Sequence, residues 1–351
     1  MKIPEQLFRF LFAMTIGLML INPVTADGER HPHRSQGKIV VANRASASLS
    51  VIDVRTDSVT NIDLPPGDNP TQPMYVVHSA KAGRVFVGDR GNNRVVVLDD
   101  EDFSIETTVP TGNGVFHMWA DPADNQLWVN NDIDNTITVI DPVSLHTLAT
   151  VPLPSDLVAL GGKPHDVILD PSGRAAYVTM VGFAAANDYV IKFSTDSFTE
   201  IARAEVGKDP HVSLTRRNKL LYVPCQNSNR VYILNRKNLV LVKTLDVAAA
   251  HGAGMPRNGK TFYTTNISGG GSNGIYAIDT RSNRVLAAVD TPLPVAHNIA
   301  LTLRGHKLYV THSGASSDQV SVYRINHKTR LPVLSSSVTV GFNPFGLAFV
   351  R

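Results

Sequence analysis

The sequence predicts an all-β protein: a seven-bladed β-propeller closed by a strand swap between its N- and C-termini. Three observations carry this. A unit made of a Tyr-Val-like pair, a polar turn and an alternating apolar strand ending in a polar residue, usually Asp or Asn, recurs seven times. The closing polar residues stand at positions 53, 99, 141, 194, 235, 279 and 326, so the gaps are 46, 42, 53, 41, 44 and 47 residues. A period in the forties with several short strands per unit is that of one four-stranded sheet per blade. Third, a short strand precedes the Tyr-Val pair of the later units, is missing before the first, and is left over after the last. A blade has two apolar faces and cannot bury them alone; stacking blades in a ring covers every face and leaves only short edges.

The chain begins with a targeting segment, residues 1–26. Lys2 and Arg9 supply a basic start, residues 10–21 are apolar apart from Thr15 and Gly17, Pro23 follows, and Val24-Thr25-Ala26 offers a small-residue cleavage site before Asp27. This is a secretory signal pattern. An apolar run of about a dozen residues falls short of the roughly 20 that span a bilayer. The expectation is a periplasmic or secreted protein starting near Asp27, with no membrane insertion after cleavage. Residues 27–35 are then a flexible arm and 36–351 the propeller.

The seven units follow in order. Residues 39–43 lead to 50–53, 85–89 to 96–99, 127–131 to 138–141, 176–179 to 190–194, 221–224 to 232–235, 262–266 to 276–279, and 308–311 to 323–326. The leftover strand, Pro344-Phe345-Gly346-Leu347-Ala348-Phe349-Val350, has no unit after it and is predicted to complete the blade formed by residues 38–65.

Composition narrows the function classes. With 43% hydrophobic and 18% charged residues the chain has material for a large core, which excludes intrinsic disorder. The net charge is +3 and the basic residues are scattered, so nucleic acid is not an expected partner. Cys225 is the only cysteine, which excludes an intrachain disulfide and a Cys-x-x-Cys zinc site. Gly269-Gly270-Gly271 lacks a strand-to-helix context and reads as a loop, and there is no His-Glu-x-x-His pair and no Cys-x-x-Cys-His haem attachment.

Histidine recurs at the start of the innermost strand. His117, His165, His211, His251 and His297 occupy that place in five units; Met74-Tyr75 and Phe345-Gly346 occupy it in the other two, and Asp166 follows His165. Equivalent positions on successive blades converge on one axis, so these imidazoles point to a metal site at the channel mouth, with Asp166 as ligand or orienting partner. Zinc is the expected ion and copper the second choice. The structural alternative is a polar channel rim repeated because the blades are copies. Counted from the flanking Pro or Tyr-Val pair, His165 and His297 stand one position earlier than His117, His211 and His251. One set would then face the channel and the other the rim. His31-Pro32-His33 reads either as a metal-collecting arm or as an inert tail.

The pattern Pro-x-x-Val-x-Val-x-Pro-x-Gly-x-x-x-Tyr-Val-x-Asn, then Val-x-Val-Ile-Asp, is carried here by residues such as Pro164, Val167, Pro171, Gly173, Tyr177 and Val178. It resembles the secreted YVTN-type, YncE-like seven-bladed propellers, which are related in fold to the cytochrome d1 propeller and the lactonase-type propellers. The combination of export signal and channel histidines is also similar to that of periplasmic propeller zinc chaperones. These resemblances imply the propeller over the whole mature chain. For function they leave a monomeric zinc carrier or store, working with a periplasmic partner protein, as the first expectation. A lactonase-like or metal/haem oxidoreductase enzyme and a non-catalytic binding scaffold are the alternatives.

Overall fold

The computed structural model describes residues 37–121, 123–214, 219–269 and 271–351. The expected signal peptide and the His31/His33 arm lie outside the described residues.

The described residues form seven four-stranded sheets. Six are continuous in sequence. The seventh places Pro344–Val350 beside Lys38–Asn43, followed by Ser48–Asp53 and Val59–Asp63. Lys38 pairs with Val350 and Asn43 with Pro344, so the last strand of the chain closes the first blade as expected. The register also puts Lys38 at the far end of the channel from Phe345.

Seven apolar clusters fill the spaces between neighbouring blades. The period-2 alternation of Lys38–Asn43 shows how. Val40 and Ala42 join Val76, Val85 and Val96 of the next blade, whereas Ile39 and Val41 join Tyr309, Val320 and Val322 of the preceding one. A strand buried on both faces explains why these segments are nearly continuous runs of Val, Ile and Tyr.

The repeated closing Asp or Asn has a local cause. Asp53 Oδ1 accepts the N–H groups of Arg55 and Thr56, Asp141 those of Val143 and Ser144, Asp279 those of Arg281 and Ser282, and Asn326 those of Lys328 and Thr329. These are Asx turns that start the hairpin to the outermost strand. The 53-residue gap has its explanation in the chain between blades three and four, where a short helix, Ser155–Ala159, is inserted. Among the described residues no helix is long and apolar enough to cross a membrane.

Candidate active site at the channel mouth

The innermost strand does not run in even register. In six blades it slips by one residue against its neighbour, so two residues face one. The first bulge position holds Phe345, Met74, Phe116, His165, His251 and His297. The second holds Gly346, Tyr75, His117, Asp166, Gly252 and Asn298. The fifth blade keeps its register, with Pro210 opposite Cys225, Ser213 opposite Tyr222, and the His211 N–H donating to the Pro224 carbonyl at 2.7 Å.

The polar residues of the Tyr-Val motif hold these bulges. The hydroxyls of Thr179, Thr265 and Thr311 accept the N–H of Asp166, Gly252 and Asn298 at 2.8, 2.8 and 3.0 Å. Thr265 and Thr311 donate onward to the carbonyls of His297 and Phe345 on the next blade, at 2.7 and 2.9 Å, and the Asn130 amide donates to that of His165 at 2.9 Å. In three places one blade thereby positions the next one's bulge. The close approach needs glycine at Gly252, where a Cβ would lie 2.0 Å from the His297 carbonyl oxygen.

This pairing corrects the expected grouping of histidines. His165, His251 and His297 share one slot, His211 stands level with them, and His117 alone takes the second position. The bulges shift the strand by one residue, which a count along the sequence cannot detect. The Val167 N–H donates to His117 Nδ1 at 3.2 Å, leaving the proton of the neutral ring on Nε2. His117 is therefore a hydrogen-bond donor set apart from the other four.

The remaining rings form an iris. Around it, centroid separations are 4.9 Å for Phe116–His165, 4.7 Å for His165–His211, 3.8 Å for His211–His251, 4.6 Å for His251–His297, 4.3 Å for His297–Phe345 and 6.3 Å for Phe345–Phe116. Tyr75 lies against Phe116, Phe345 and His117.

The imidazoles are shifted in different directions. Burial, aided by the neighbouring histidines, pushes His251 well below the usual histidine range and His297 down to about 3. Burial also lowers His165, with His211 adding to it. At His211 burial acts in the same sense, but the charge and hydrogen bond of Asp166 outweigh it and raise the group. His211 Nδ1 lies 3.3 Å from Asp166 Oδ2, which also accepts the Val212 N–H. At Asp166 burial opposes ionisation, yet His117, His211 and His165 hold the carboxyl far below its ordinary range. Asp166 and His211 are thus the pair whose surroundings favour both charged forms, while burial favours the neutral ring at His117, His165, His251 and His297. His251 Nδ1 is bonded to Gln226 Oε1 at 2.7 Å, which puts its proton there and leaves a lone pair on Nε2. Among the described residues the buried atoms His211 Nε2, His251 Nε2 and Asp166 Oδ1 have no hydrogen-bond partner.

A second tier, missed by the sequence reading, overhangs the iris. It comes from the residue two past the one opposite the iris position: Arg44, Arg90, Asp132, Gln226 and Ser313 in five of the blades. Its signal was present, since these residues directly follow the last residue of the Tyr-Val-x-Asn strand. Arg44 lies over the Phe345 ring and Arg90 over Phe116, with Arg90 paired to Asp132 at 2.9 Å. The Ser313 hydroxyl meets His297 Nδ1 at 2.8 Å. Among the described residues, one group brings metal-ligating atoms within 4.8 Å of one another: His165, Asp209 and His211. Asp209 was not among the expected ligands.

A family model described as lactonase, seven-bladed β-propeller, matches residues 16–249, well over half of the chain. The chain belongs to this family. Among curated relatives, the lactonase-family chain is 23% identical over 268 residues to the uncharacterised protein YncE of Salmonella typhimurium, covering 70% of this chain and 73% of that one. It is similar in fold to the periplasmic gluconolactonase of Pseudomonas aeruginosa, with a TM-score of 0.68 and 17% identity over 90% of this chain and 99% of that one. A putative 6-phosphogluconolactonase of Bacteroides uniformis gives 0.68 and 16% over 90% and 100%. Hydrazine synthase of Kuenenia stuttgartiensis gives 0.67 and 14% over 81% and 91%.

Proposed function

We propose that the protein hydrolyses a lactone at the histidine iris, with His251 as general base and His211 as general acid. One observation carries this reading: two adjacent imidazoles are shifted in opposite directions, each with a buried Nε2 that has no hydrogen-bond partner among the described residues. Neighbouring titratable groups pushed apart in this way are the pattern of an acid–base pair. The alternative of a lactonase-like enzyme also agrees with the family better than a zinc carrier does.

The steps balance. His251 Nε2 takes a proton from water as the water oxygen bonds to the lactone carbonyl carbon. The His211 Nε2–H donates a hydrogen bond to the oxyanion. Collapse breaks the ring C–O bond, and the His211 proton goes to the leaving alkoxide oxygen. A proton passing from His251 back to His211 resets the pair, and the product is the hydroxy acid. Because both Nε2 atoms are shielded, the carbonyl reaches them only as the rings part. Arg44, partly buried over Phe345, gives the far side of the mouth a positive wall suited to a carboxylate or phosphate on the same molecule.

The test is hydrolysis of five- and six-membered sugar lactones, followed by pH-stat. His251→Gln and His211→Gln should each lower kcat by roughly 100-fold or more while leaving the circular dichroism spectrum unchanged. A protein that does not exceed the uncatalysed rate on any lactone refutes the assignment.

A metal-bound form is the second reading, favoured by the cluster of His165, Asp209 and His211. Zinc is preferred and copper next, since the donors are nitrogen and oxygen without thiolate. The two readings exclude each other, because a His211 that binds a metal through Nε2 must lose its proton. Elemental analysis of untagged protein, with lactone hydrolysis measured before and after chelation, separates them. Export to the periplasm is part of the proposal. It is supported by residues 1–26 and by the similarity to a periplasmic gluconolactonase. A mature N-terminus at Met1 would overturn it.

A further inference from the structure

Below the iris the channel widens into a cavity of about 660 Å³ that is separate from the proposed catalytic mouth. Its roof is made by second-position bulge residues, Tyr75, His117 and Asn298, and its walls are formed by the rest of the inner strands. We propose that this lower chamber is a second binding site, for an uncharged, largely apolar ring compound that presents one hydrogen-bond-accepting oxygen to the roof.

The roof supplies donors without charge. His117 accepts the Val167 N–H at Nδ1, so its Nε2 carries a proton, and no protein group among the described residues bonds that atom. The Tyr75 hydroxyl meets the Asn298 amide and, being buried, stays protonated. The charged side chains along the cavity stand three or more residues along the chain from the roof positions: His78 pairs with Asp100 at 2.7 Å, Asp121 and Asp124 accept the backbone N–H groups of Asn125 and Lys81, and Arg351 lies at the chain end. Immediately beneath the roof the lining carries no charged side chain, and a carbonyl or ether oxygen there finds the His117 N–H.

The walls supply apolar contact. Ile168, Met255, Ile299, Leu301 and Leu347 line the chamber, and Trp119 is 40% exposed there with its ring 8° from the plane of His117. An exposed tryptophan inside a concave apolar pocket is a stacking surface. The volume falls in the range that encloses a small organic molecule. Entry is from the face opposite the iris, since Tyr75 packs against Phe116 and Phe345 between the two compartments.

The experiment uses 1-tetralone as probe, with tetralin as the same shape without the oxygen and 2-naphthoate as the charged control, measured by calorimetry on the mature protein. The expected result is saturable 1:1 binding of 1-tetralone, at least ten times tighter than either control. Ala253→Trp fills the chamber from its wall and should abolish binding with the roof intact; His117→Phe should reduce 1-tetralone to the affinity of tetralin. His251→Gln should leave it unchanged, which keeps this site distinct from the catalytic reading. Equal binding of all three probes, no binding at all, or binding lost in His251→Gln but kept in Ala253→Trp overturns the proposal.

Discussion

Gln226 Oε1 accepts the Nδ1–H of His251 at 2.7 Å, and the ring proposed as general base is thereby held in one tautomer. The two residues belong to successive blades and stand 25 positions apart. An orienting carboxylate would raise the imidazole; a neutral amide fixes the proton without doing so, which leaves burial to dominate at His251.

Gln226→Leu is expected to lower kcat by roughly tenfold or more with little change in KM, because the freed ring loses its Nε2 lone pair part of the time. Gln226→Glu is expected to raise the pKa of His251 and so move the acid limb of the kcat profile to higher pH. Profiles of the two variants, collected over the same pH range, check both directions.

Asp166 has the opposite effect on His211. Its charge and hydrogen bond raise that group, so His211 keeps its acid proton above the ordinary histidine pKa and loses it as pH rises further. In Asp166→Asn burial is left unopposed, and the alkaline limb should move to lower pH. A 15N-resolved titration of His211 that does not move between wild type and variant counts against the pairing.

Stability should fall with acid. His117, His165, His251 and His297 are all lowered in the folded state, so below the unfolded value near 6.5 the unfolded chain binds more protons. Their contribution is complete above about pH 6.5 and is lost as pH drops toward the folded values, about 3 for His297. His211 acts in the reverse sense but is a single group. The expected observation is a Tm that declines steadily from pH 7 to pH 4.

Thr311→Val removes a buried hydroxyl that accepts from Asn298 and donates to Phe345. The Asn298 N–H is then unpaired, at a cost of about 1–3 kcal/mol, while the Phe345 carbonyl keeps the Asn298 amide at 3.3 Å. Thr311→Ser should recover most of that in urea denaturation. If the Val variant matches wild type, the hydroxyl chain between blades does not hold the bulges.

Deleting residues 344–351 should lower Tm sharply and abolish a single cooperative transition, because the first blade loses its inner strand and the apolar residues packed around Val350 and Ala348 face water. A truncated protein with the wild-type transition refutes closure by strand exchange.

The propeller, its blade boundaries, the role of Pro344–Val350 and the recurrence of histidine at the mouth were all legible in the sequence, because each depends on short-range patterns repeated at a constant period. Alternating Val and Ile mark strands buried on two faces, and Asp53, Asp141 and Asp279 mark turns whose N–H groups they bind. What lay outside that reading depends on contacts between blades. A one-residue bulge, absent from the fifth blade, placed His117 apart from the other four histidines and brought His211 level with them. Arg44 and Gln226 reach the mouth from the neighbouring strands, at the ends of Lys38–Asn43 and Leu220–Cys225. The charge states were decided last and only by the tertiary structure: His211 and His251 are both buried histidines, and what separates them is a carboxylate from one neighbouring blade and an amide from another.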